Sequence, residues 1–136
     1  MPGRQRAPAT GRELEQRTRE LAEMLGLDVR SRVRVGRRLW GAVREIDLVL
    51  TDATTRRRLG IECKAQSSKG TAEEKIPATI TDIGAWPIPG LVVFSGAGFS
   101  PNMEQFLLST GKAVSFEDLE DWLRLYFGLP IKDELL

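Results

Sequence analysis

The sequence of 136 residues predicts one domain of the α/β (α+β) class, with a mixed central sheet flanked by helices. Apolar residues recur with the helical period of about 3.6 up to residue 26, and with the strand period of 2 from there to residue 63. A continuous apolar run at residues 91–94 has the length of a strand that is buried on both faces. Since no repeat or linker interrupts residues 11–136, we expect a single domain there, preceded by a flexible basic arm at residues 1–10.

The first helix is predicted from a capping box, in which Thr10 and Glu13 satisfy free backbone amides at a helix start. Gly26 is the expected end of this helix. The first strand lies around residues 33–35, where valines alternate with arginines, and Gly36 offers a turn after it.

The next two strands are predicted at residues 46–50 and 59–65, so that the first three strands form a meander. Thr71 and Glu74 make a second capping box, which opens a helix that extends to about residue 83. A helix therefore connects the third strand to the fourth.

The remaining elements alternate between strand and helix. Residues 91–94 form the buried strand, residues 100–108 form a helix with a proline in its first turn, and residues 113–116 form a short strand. Ser115 is expected to cap a last helix, which Gly128 ends. The order of elements predicts an α-β-β-β-α-β core followed by a further helix, strand and helix.

Charge is divided unevenly along the chain, although the formal net charge is only +1. Residues 1–58 carry 14 arginines and no lysine against 8 acidic residues, a net charge of +6. Residues 59–136 carry 5 lysines and 1 arginine against 11 acidic residues, a net charge of −5. A positive half built from arginine alone indicates a surface that meets phosphate groups.

The composition excludes several kinds of site. The sequence has no histidine, which excludes histidine zinc sites, Ser-His-Asp triads and Cys-His nucleophiles, so any metal must be held by oxygen atoms. Its one cysteine has no disulfide partner in the chain. No apolar run approaches the roughly 18–20 residues that span a bilayer, and residues 1–12 lack the apolar part of a signal peptide. We therefore expect a cytoplasmic protein without a membrane segment.

Charged side chains interrupt two strands that are otherwise apolar. Asp47 lies among aliphatic residues in the second strand, and Glu62 and Lys64 flank Cys63 in the third. A buried charge needs a counter-charge or a metal ion. Because residues two apart in a strand share a face, Glu62, Lys64 and Gln66 are expected to project together, with Asp47 beside them if the two strands pair.

Two carboxylates that converge from neighbouring strands suit Mg²⁺, which takes oxygen ligands and keeps several waters. A lysine beside them can orient a water molecule at the metal. With a substrate phosphate in the same place, this is the layout for metal-assisted hydrolysis of a phosphodiester. The competing interpretation is an exposed ion pair on a strand, and the presence of Asp47 in the preceding apolar strand disfavours it.

Asp47, fourteen intervening residues and then Glu62-Cys63-Lys64 resemble the Asp…Glu-x-Lys core of the PD-(D/E)xK nuclease superfamily. The resemblance covers about residues 10–95, and the predicted element order is that of the restriction-endonuclease-like fold. It implies that Asp47, Glu62 and the backbone carbonyl of Cys63 bind a metal ion. It also implies that Lys64 is the catalytic lysine, and that the cofactor is Mg²⁺, which Mn²⁺ can replace.

Glu15 resembles the helix acid that completes the metal site in several branches of the superfamily, and Glu13 and Glu20 compete for this role. The opening of the helix, with Gly11 before Glu15, is similar to the archaeal Holliday-junction resolvase branch. One departure is Ile46, which stands where the family has a proline before the aspartate.

An arginine-rich hairpin follows the first helix. Beside a phosphodiester site it is expected to hold the nucleic-acid backbone, and the competing interpretation is the solvated face of an edge strand. The arginines expected to contact nucleic acid are Arg32, Arg34, Arg37 and Arg38.

Three polar residues after the third strand are further candidates for nucleic-acid contacts. Lys69 and Lys75 flank a helix start, where backbone amides favour a phosphate, and the competing interpretation is a solvated cap. Gln66 shares the Glu62 face and either contacts the substrate or is an ordinary polar residue at a strand end.

These expectations combine into a Mg²⁺-dependent endonuclease of the PD-(D/E)xK type that acts on DNA, structure-selective or non-specific, with RNA left open as a substrate. Cutting both strands would need a homodimer, for which the apolar C-terminal helix offers a candidate surface. The alternatives are a catalytically silent subunit that binds nucleic acid, and a sequence-specific restriction-type endonuclease.

Overall fold

The computed structural model describes Pro8 and residues 10–37, 41–65, 72–95 and 99–131, and gives only the backbone of residues 72–75. The elements in chain order are α1 (Gly11–Met24), β1 (Asp28–Arg37), β2 (Val43–Thr51), β3 (Arg58–Ala65), α2 (Ala72–Gly84), β4 (Gly90–Ser95), α3 (Pro101–Ser109), β5 (Ala113–Ser115), a 3₁₀ turn (Phe116–Asp118) and α4 (Leu119–Phe127). This order confirms the predicted succession of helices and strands.

Polar caps and a glycine mark the ends of several helices, as the sequence predicts. The Thr10 hydroxyl accepts a 3.1 Å hydrogen bond from the Glu13 amide at the start of α1. The Ser100 hydroxyl accepts a 3.2 Å bond from the Met103 amide at the start of α3. Gly128 ends α4 in the left-handed conformation, at φ +71°, which glycine adopts without steric cost.

The strands form one five-stranded mixed sheet in the order β1-β2-β3-β4-β5. β1, β2 and β3 pair antiparallel as the predicted meander, whereas β3 with β4 and β4 with β5 pair parallel. β1 and β5 are therefore the two edges of the sheet. The architecture confirms the predicted α+β class, and within the described ranges no helix has the length and apolarity to cross a membrane.

Each face of the sheet is covered by helices and a layer of apolar side chains. On one face, Leu14 of α1 and Leu123 of α4 pack with Leu48 of β2. On the other face, Ile76 of α2 packs with Val49 of β2. We call these the α1 layer and the α2 layer.

Two details differ from the expectations. Gly36 does not turn the chain but lies within β1 at φ +122°, where the pairing with β2 shifts register between Arg34 and Arg37. A glycine tolerates this irregular backbone, so a turn residue can also mark a bulge. The expected cap at Ser115 was wrong, because the 3₁₀ turn intervenes before α4 and the Ser115 hydroxyl bonds Asp118 at 3.2 Å.

The segment before α1 packs against the C-terminal end of β4. Pro8 is buried, and its carbonyl accepts a 2.9 Å hydrogen bond from the hydroxyl of Ser95. Ser95 pairs with Ala65 at the ends of β4 and β3. The chain is thus held at these strand ends before it enters α1.

Candidate active site

The alternation of side chains along β2 is broken at Asp47. Ile46 belongs to the α2 layer and Leu48 to the α1 layer, although residues two apart in a regular strand share a face. The neighbouring β1 changes face at the same level, since Val33 pairs with Ile46 and Ser31 pairs with Leu48. Between them Arg32 has a left-handed backbone, with φ of 55°. The regular alternation expected for β2 therefore does not hold at Asp47.

Asp47 lies where β2 and β3 separate. The paired rungs of these strands run from Thr51 and Arg58 to Leu48 and Ile61, and Asp47 is the next residue of β2. Its Oδ2 atom accepts a 3.0 Å hydrogen bond from the backbone amide of Cys63. The carboxylate thus replaces a strand carbonyl as acceptor, which fixes its orientation. We call this place the strand fork.

Glu62 and Lys64 share a face of β3, as predicted. The Lys64 Nζ atom lies 3.5 Å from Glu62 Oε2, and the two side chains are 24% and 18% exposed. Both line a groove of about 290 Å³ between β3 and α2, which we call the α2 groove. Because the groove is open to solvent and lined by charged groups, it can admit a polar ligand.

An ion pair that the sequence did not reveal borders the α2 groove. Asp82 of α2 lines the groove, and its Oδ1 atom accepts a 2.8 Å hydrogen bond from Nε of Arg44. The two residues are 38 positions apart, so no local pattern connects them. Arg44, which belongs by sequence to the arginine-rich hairpin, is thus tied to α2.

Glu15 approaches the strand fork from α1. The negative charge of Asp47 disfavours ionisation of Glu15. The Nη2 atom of Arg32 lies 3.5 Å from Oε2 of Glu15. Glu20, a competitor for the role of helix acid, instead accepts a 3.1 Å hydrogen bond from Gln16. Glu13 occupies the first turn, where its amide is capped by Thr10.

Three carboxyl groups around the fork have raised pKa values. Burial, followed by the charge of Asp47, raises the pKa of Glu62 from 4.5 to about 7, and Lys64 only partly offsets this. Burial also raises the pKa of Asp47, against the hydrogen bond from Cys63. The pKa of Glu15 is raised by burial and by Asp47. Since the negative charges disfavour one another, a cation near them would be stabilised.

The donor set fits a divalent cation that keeps water ligands. Within the described ranges no three acidic or thiol side chains converge closely enough to enclose a metal ion. Mg²⁺ does not need such a cage, since one or two carboxylates plus waters suffice. Asp47 and Glu62 are two oxygen donors of this kind, partly buried and near enough for the charge of Asp47 to act on Glu62.

Cys63 contributes its backbone to the fork, and its thiol is buried in the α1 layer. Burial raises the pKa of the thiol, and the charges of Asp47 and Glu15 add to this, whereas the Thr18 hydroxyl lowers it. The thiol therefore stays protonated and behaves as a small apolar group.

The structure describes some of the residues that are expected to contact nucleic acid. Arg34 and Arg37 are exposed on β1, and Arg37 donates a 2.8 Å hydrogen bond to the carbonyl of Gly41. Arg32 is exposed too, but its guanidinium faces Glu15 and Glu45. Arg38, Gln66 and Lys69 lie outside the described residues, as does the side chain of Lys75.

A five-stranded mixed sheet, with two acids and a lysine where its second and third strands separate, defines a class of nuclease-like α+β domain. Residues 6–121 match the family model of the PD-(D/E)XK nuclease superfamily domain. The chain belongs to this superfamily.

The fold is also found in a solved structure. A protein of unknown function, AF1548, superimposes with a TM-score of 0.52 at 18% sequence identity, over 75% of this chain. The chain spans 56% of the length of AF1548, and at this identity the likeness concerns the fold alone. No curated protein matches the chain significantly.

Proposed function

We propose that this domain is a Mg²⁺-dependent endonuclease that hydrolyses phosphodiester bonds of DNA, with structure-selective or no sequence preference. The proposal rests on two carboxylates of neighbouring strands whose charges act on each other: Asp47, which accepts the Cys63 amide, and Glu62, which pairs with Lys64. Membership of the nuclease superfamily supports the same reaction.

Asp47 and Glu62 are the residues that would hold the ion, with the Cys63 carbonyl as a third ligand and Glu15 in support. In a strand, the N–H and C=O of one residue point to the same side. Because the Cys63 N–H points to Asp47, its carbonyl is expected to point to the fork as well. A bound ion supplies a lowered pKa of water and neutralises charge on the phosphate.

Lys64 is the residue that would position the attacking water. Its ammonium group lies at the groove between β3 and α2, 3.5 Å from Glu62, so it can donate a further hydrogen bond to a water there. Its positive charge also offsets negative charge that develops on phosphorus. Lys64 and Glu62 thus hold each other and the nucleophile in one place.

Basic residues near the fork would bind the nucleic-acid backbone. Exposed arginines lie along β1, at the edge of the sheet next to the strand that carries Asp47. DNA is the proposed substrate and RNA is left open, since phosphate contacts distinguish them little. The proposed contacts are Arg32, Arg34, Arg37, Arg38, Gln66, Lys69 and Lys75.

Two further features of the proposal rest on the sequence. A homodimer would place two sites on a duplex, and the exposed Leu125 of α4, 67% accessible, lies on the surface suggested for it. The cytoplasmic location stays a prediction.

Cleavage of plasmid and branched DNA with Mg²⁺, Mn²⁺ or EDTA tests the proposal. We expect cleavage with either metal, none with EDTA, and a loss of at least about 100-fold in Asp47→Ala and Lys64→Ala. Arg56→Gln, in the turn between β2 and β3, is the control that should cleave normally. Full activity in either fork variant would contradict the assignment of these residues.

A calorimetric titration separates the enzyme from a catalytically silent subunit of the same fold. The proposed enzyme should bind Mg²⁺ or Mn²⁺ with a heat that Asp47→Asn and Glu62→Gln reduce. A silent subunit would show DNA binding without such a heat. Sequencing the ends cut in random DNA would reveal a restriction-type preference.

A further inference from the structure

A depression rich in arginine lies beside the strand fork, on the α1 side. Its volume is about 140 Å³, enough for a phosphate group. It is lined by Arg12, Glu15, Gln16, Arg19, Ser31 and Arg32. Its lining carries three guanidinium groups and one carboxylate, and Glu23 and Glu45 lie outside the lining, each 3.8 Å from one of the arginines. Arg12 and Arg19 come from α1, and Arg32 comes from β1.

Arg19 is held at the depression by contacts to residues outside the strand fork, although its charge also acts on Glu15. Arg19 donates a hydrogen bond to the hydroxyl of Ser31, and its other nitrogen lies 3.8 Å from Glu23. Arg12 lies in the first turn of α1. Arginine suits phosphate because the N–H donors of its planar guanidinium group match the spacing of the phosphate oxygens.

Arg32 belongs to the depression and to the acid cluster at the same time. Its Nη2 atom lies 3.5 Å from Glu15 and its Nη1 atom 3.8 Å from Glu45. The side chain is 63% exposed, so these long contacts are weak and exchange readily. Its left-handed backbone, at φ 55°, is uncommon for a residue with a side chain and is found more often at functional sites.

We propose that the depression between Arg12, Arg19 and Arg32 binds a phosphate of the nucleic-acid backbone, and that Arg32 couples it to the metal site. Without a divalent ion, Arg32 serves as counter-charge for Glu15 and Glu45. When the ion supplies that positive charge, Arg32 is released to the phosphate. The ion and the nucleic acid therefore strengthen each other's binding. The inference rests on the proposed function for the identity of both ligands.

The test measures DNA affinity with and without the ion. All proteins carry Lys64→Ala to suppress cleavage, and the probe is a fluorescein-labelled DNA duplex, titrated in EDTA and in Mg²⁺. We expect Mg²⁺ to strengthen binding about tenfold in this parent, a usual size for coupling between two sites. Adding Arg32→Gly should reduce the gain to about twofold or less, by weakening binding in Mg²⁺ far more than in EDTA.

Arg56→Gly is the matched control. Arg56 is also an exposed arginine with a left-handed backbone, at φ 64°, and it lies at the far end of the β2–β3 hairpin from the fork. This variant loses the same charge and relaxes the same kind of backbone, so it should keep the tenfold gain. Arg12→Gln and Arg19→Gln should weaken binding in EDTA and in Mg²⁺ by more nearly equal factors than Arg32→Gly does. Within the described residues only Arg32 forms ion pairs with Glu15 and Glu45, although the Arg19 charge also acts on Glu15.

A second readout uses no nucleic acid. Calorimetry should show Arg32→Gly binding Mg²⁺ several-fold more tightly than Arg56→Gly, because the competing cation is gone. An equal loss of DNA affinity for Arg32→Gly in EDTA and Mg²⁺ would overturn the coupling, and unchanged affinity in Arg12→Gln and Arg19→Gln would overturn the subsite. Cleavage by the protein with Lys64 intact would then still support the proposed function, whereas a parent that binds no Mg²⁺ contradicts the function and the coupling together.

Discussion

Asp47 shows how one side chain can serve both the backbone and the chemistry of a site. Its carboxylate accepts the Cys63 amide at the point where the paired rungs of β2 and β3 end. The second oxygen is left for other partners. A buried amide without its acceptor costs free energy, so this aspartate is expected to matter for stability as well as activity.

Two substitutions of Asp47 separate these roles. Asp47→Asn keeps an oxygen that can accept the Cys63 N–H, whereas Asp47→Ala leaves this amide without its acceptor. We expect Asp47→Ala to be less stable than Asp47→Asn by about 1–2 kcal/mol, while both lose DNA cleavage. Urea unfolding in EDTA measures the difference. Equal stability of the two variants would show that the hydrogen bond does not hold the fork.

Glu62 should make the metal-free protein less stable as pH rises. Its pKa is raised to about 7 in the folded protein, from 4.5, so the folded state holds this proton more tightly than the unfolded chain does. The stability that protonated Glu62 contributes is present below about pH 4.5 and is lost as the pH rises to about 7.

Unfolding free energies in EDTA, compared between the wild type and Glu62→Gln, isolate this effect. The wild type should lose stability relative to Glu62→Gln between pH 4.5 and 7, by at most about 3 kcal/mol, and Mg²⁺ should diminish the loss. Parallel pH profiles of the two proteins in EDTA would mean that Glu62 has an ordinary pKa.

At the scale of elements, the ring of Trp86, just after the end of α2, packs closely against Gly60 of β3 and Gly90 of β4. A Cβ atom at Gly60 would lie only 2.7 Å from the Trp86 ring, and a Cβ atom at Gly90 only 2.8 Å from it. At Gly90 the Cβ would also collide with Ile83. The absence of these two side chains lets the end of α2 approach β3 and β4, which forms one wall of the α2 groove.

Gly90→Ala should therefore destabilise the fold and disturb the groove. We expect a loss of about 1–3 kcal/mol, because Ile83 and Trp86 must shift together. Gly84→Ala is the control, since a Cβ there meets nothing within 4 Å. Urea unfolding of both variants measures the effect, and comparable stability for the two would refute the close packing at Gly90.

The order of elements could be predicted from the sequence because its signals are local. Capping residues such as Thr10 and Ser100 lie within three positions of the amides they satisfy, and strand alternation is read over a few residues. The reversal at Asp47 could not be predicted, since it accompanies an irregularity in β1, where Ser31 pairs with Leu48 and Val33 with Ile46 around Arg32. Local patterns also place Glu62 and Lys64 on one face.

Other parts of the site depend on contacts between distant segments. The Arg44–Asp82 pair joins β2 to α2, and the depression at Arg32 joins β1 to α1. Charged residues of this kind are common on surfaces, so nothing in the sequence distinguishes these from solvated ones. Their partners became evident only from the packing of helices on the sheet.

At the scale of the whole molecule, the described residues beside the two edges of the sheet differ in charge. The exposed arginines lie on β1, and the acidic 3₁₀ turn follows β5, whereas α4 crosses back to β2 and β3. Four strand spacings, roughly 19 Å, separate the edges. The net charge of +1 thus conceals an uneven distribution, with exposed arginines at the β1 edge and acidic residues in the turn after β5.

Reversing one charge on each side tests this orientation. Arg34→Glu should weaken DNA binding about tenfold, because Arg34 is exposed on β1. The slope of log affinity against log salt concentration should become shallower by about one, the value for one phosphate contact. Asp118→Asn, in the acidic turn, should leave both quantities unchanged. Fluorescence anisotropy at several salt concentrations measures them, and an equal response of the two variants would contradict a single phosphate-facing side.

A crystal structure with Mn²⁺ tests whether the strand fork is a divalent metal site. We expect an anomalous peak between the carboxylates of Asp47 and Glu62, within about 2.5 Å of oxygens that include the Cys63 carbonyl. Arg32 should have turned away from Glu15 in the same crystal. If no peak appears at the fork at saturating Mn²⁺, or if the ion there contacts neither carboxylate, then Asp47 and Glu62 do not form a divalent metal site.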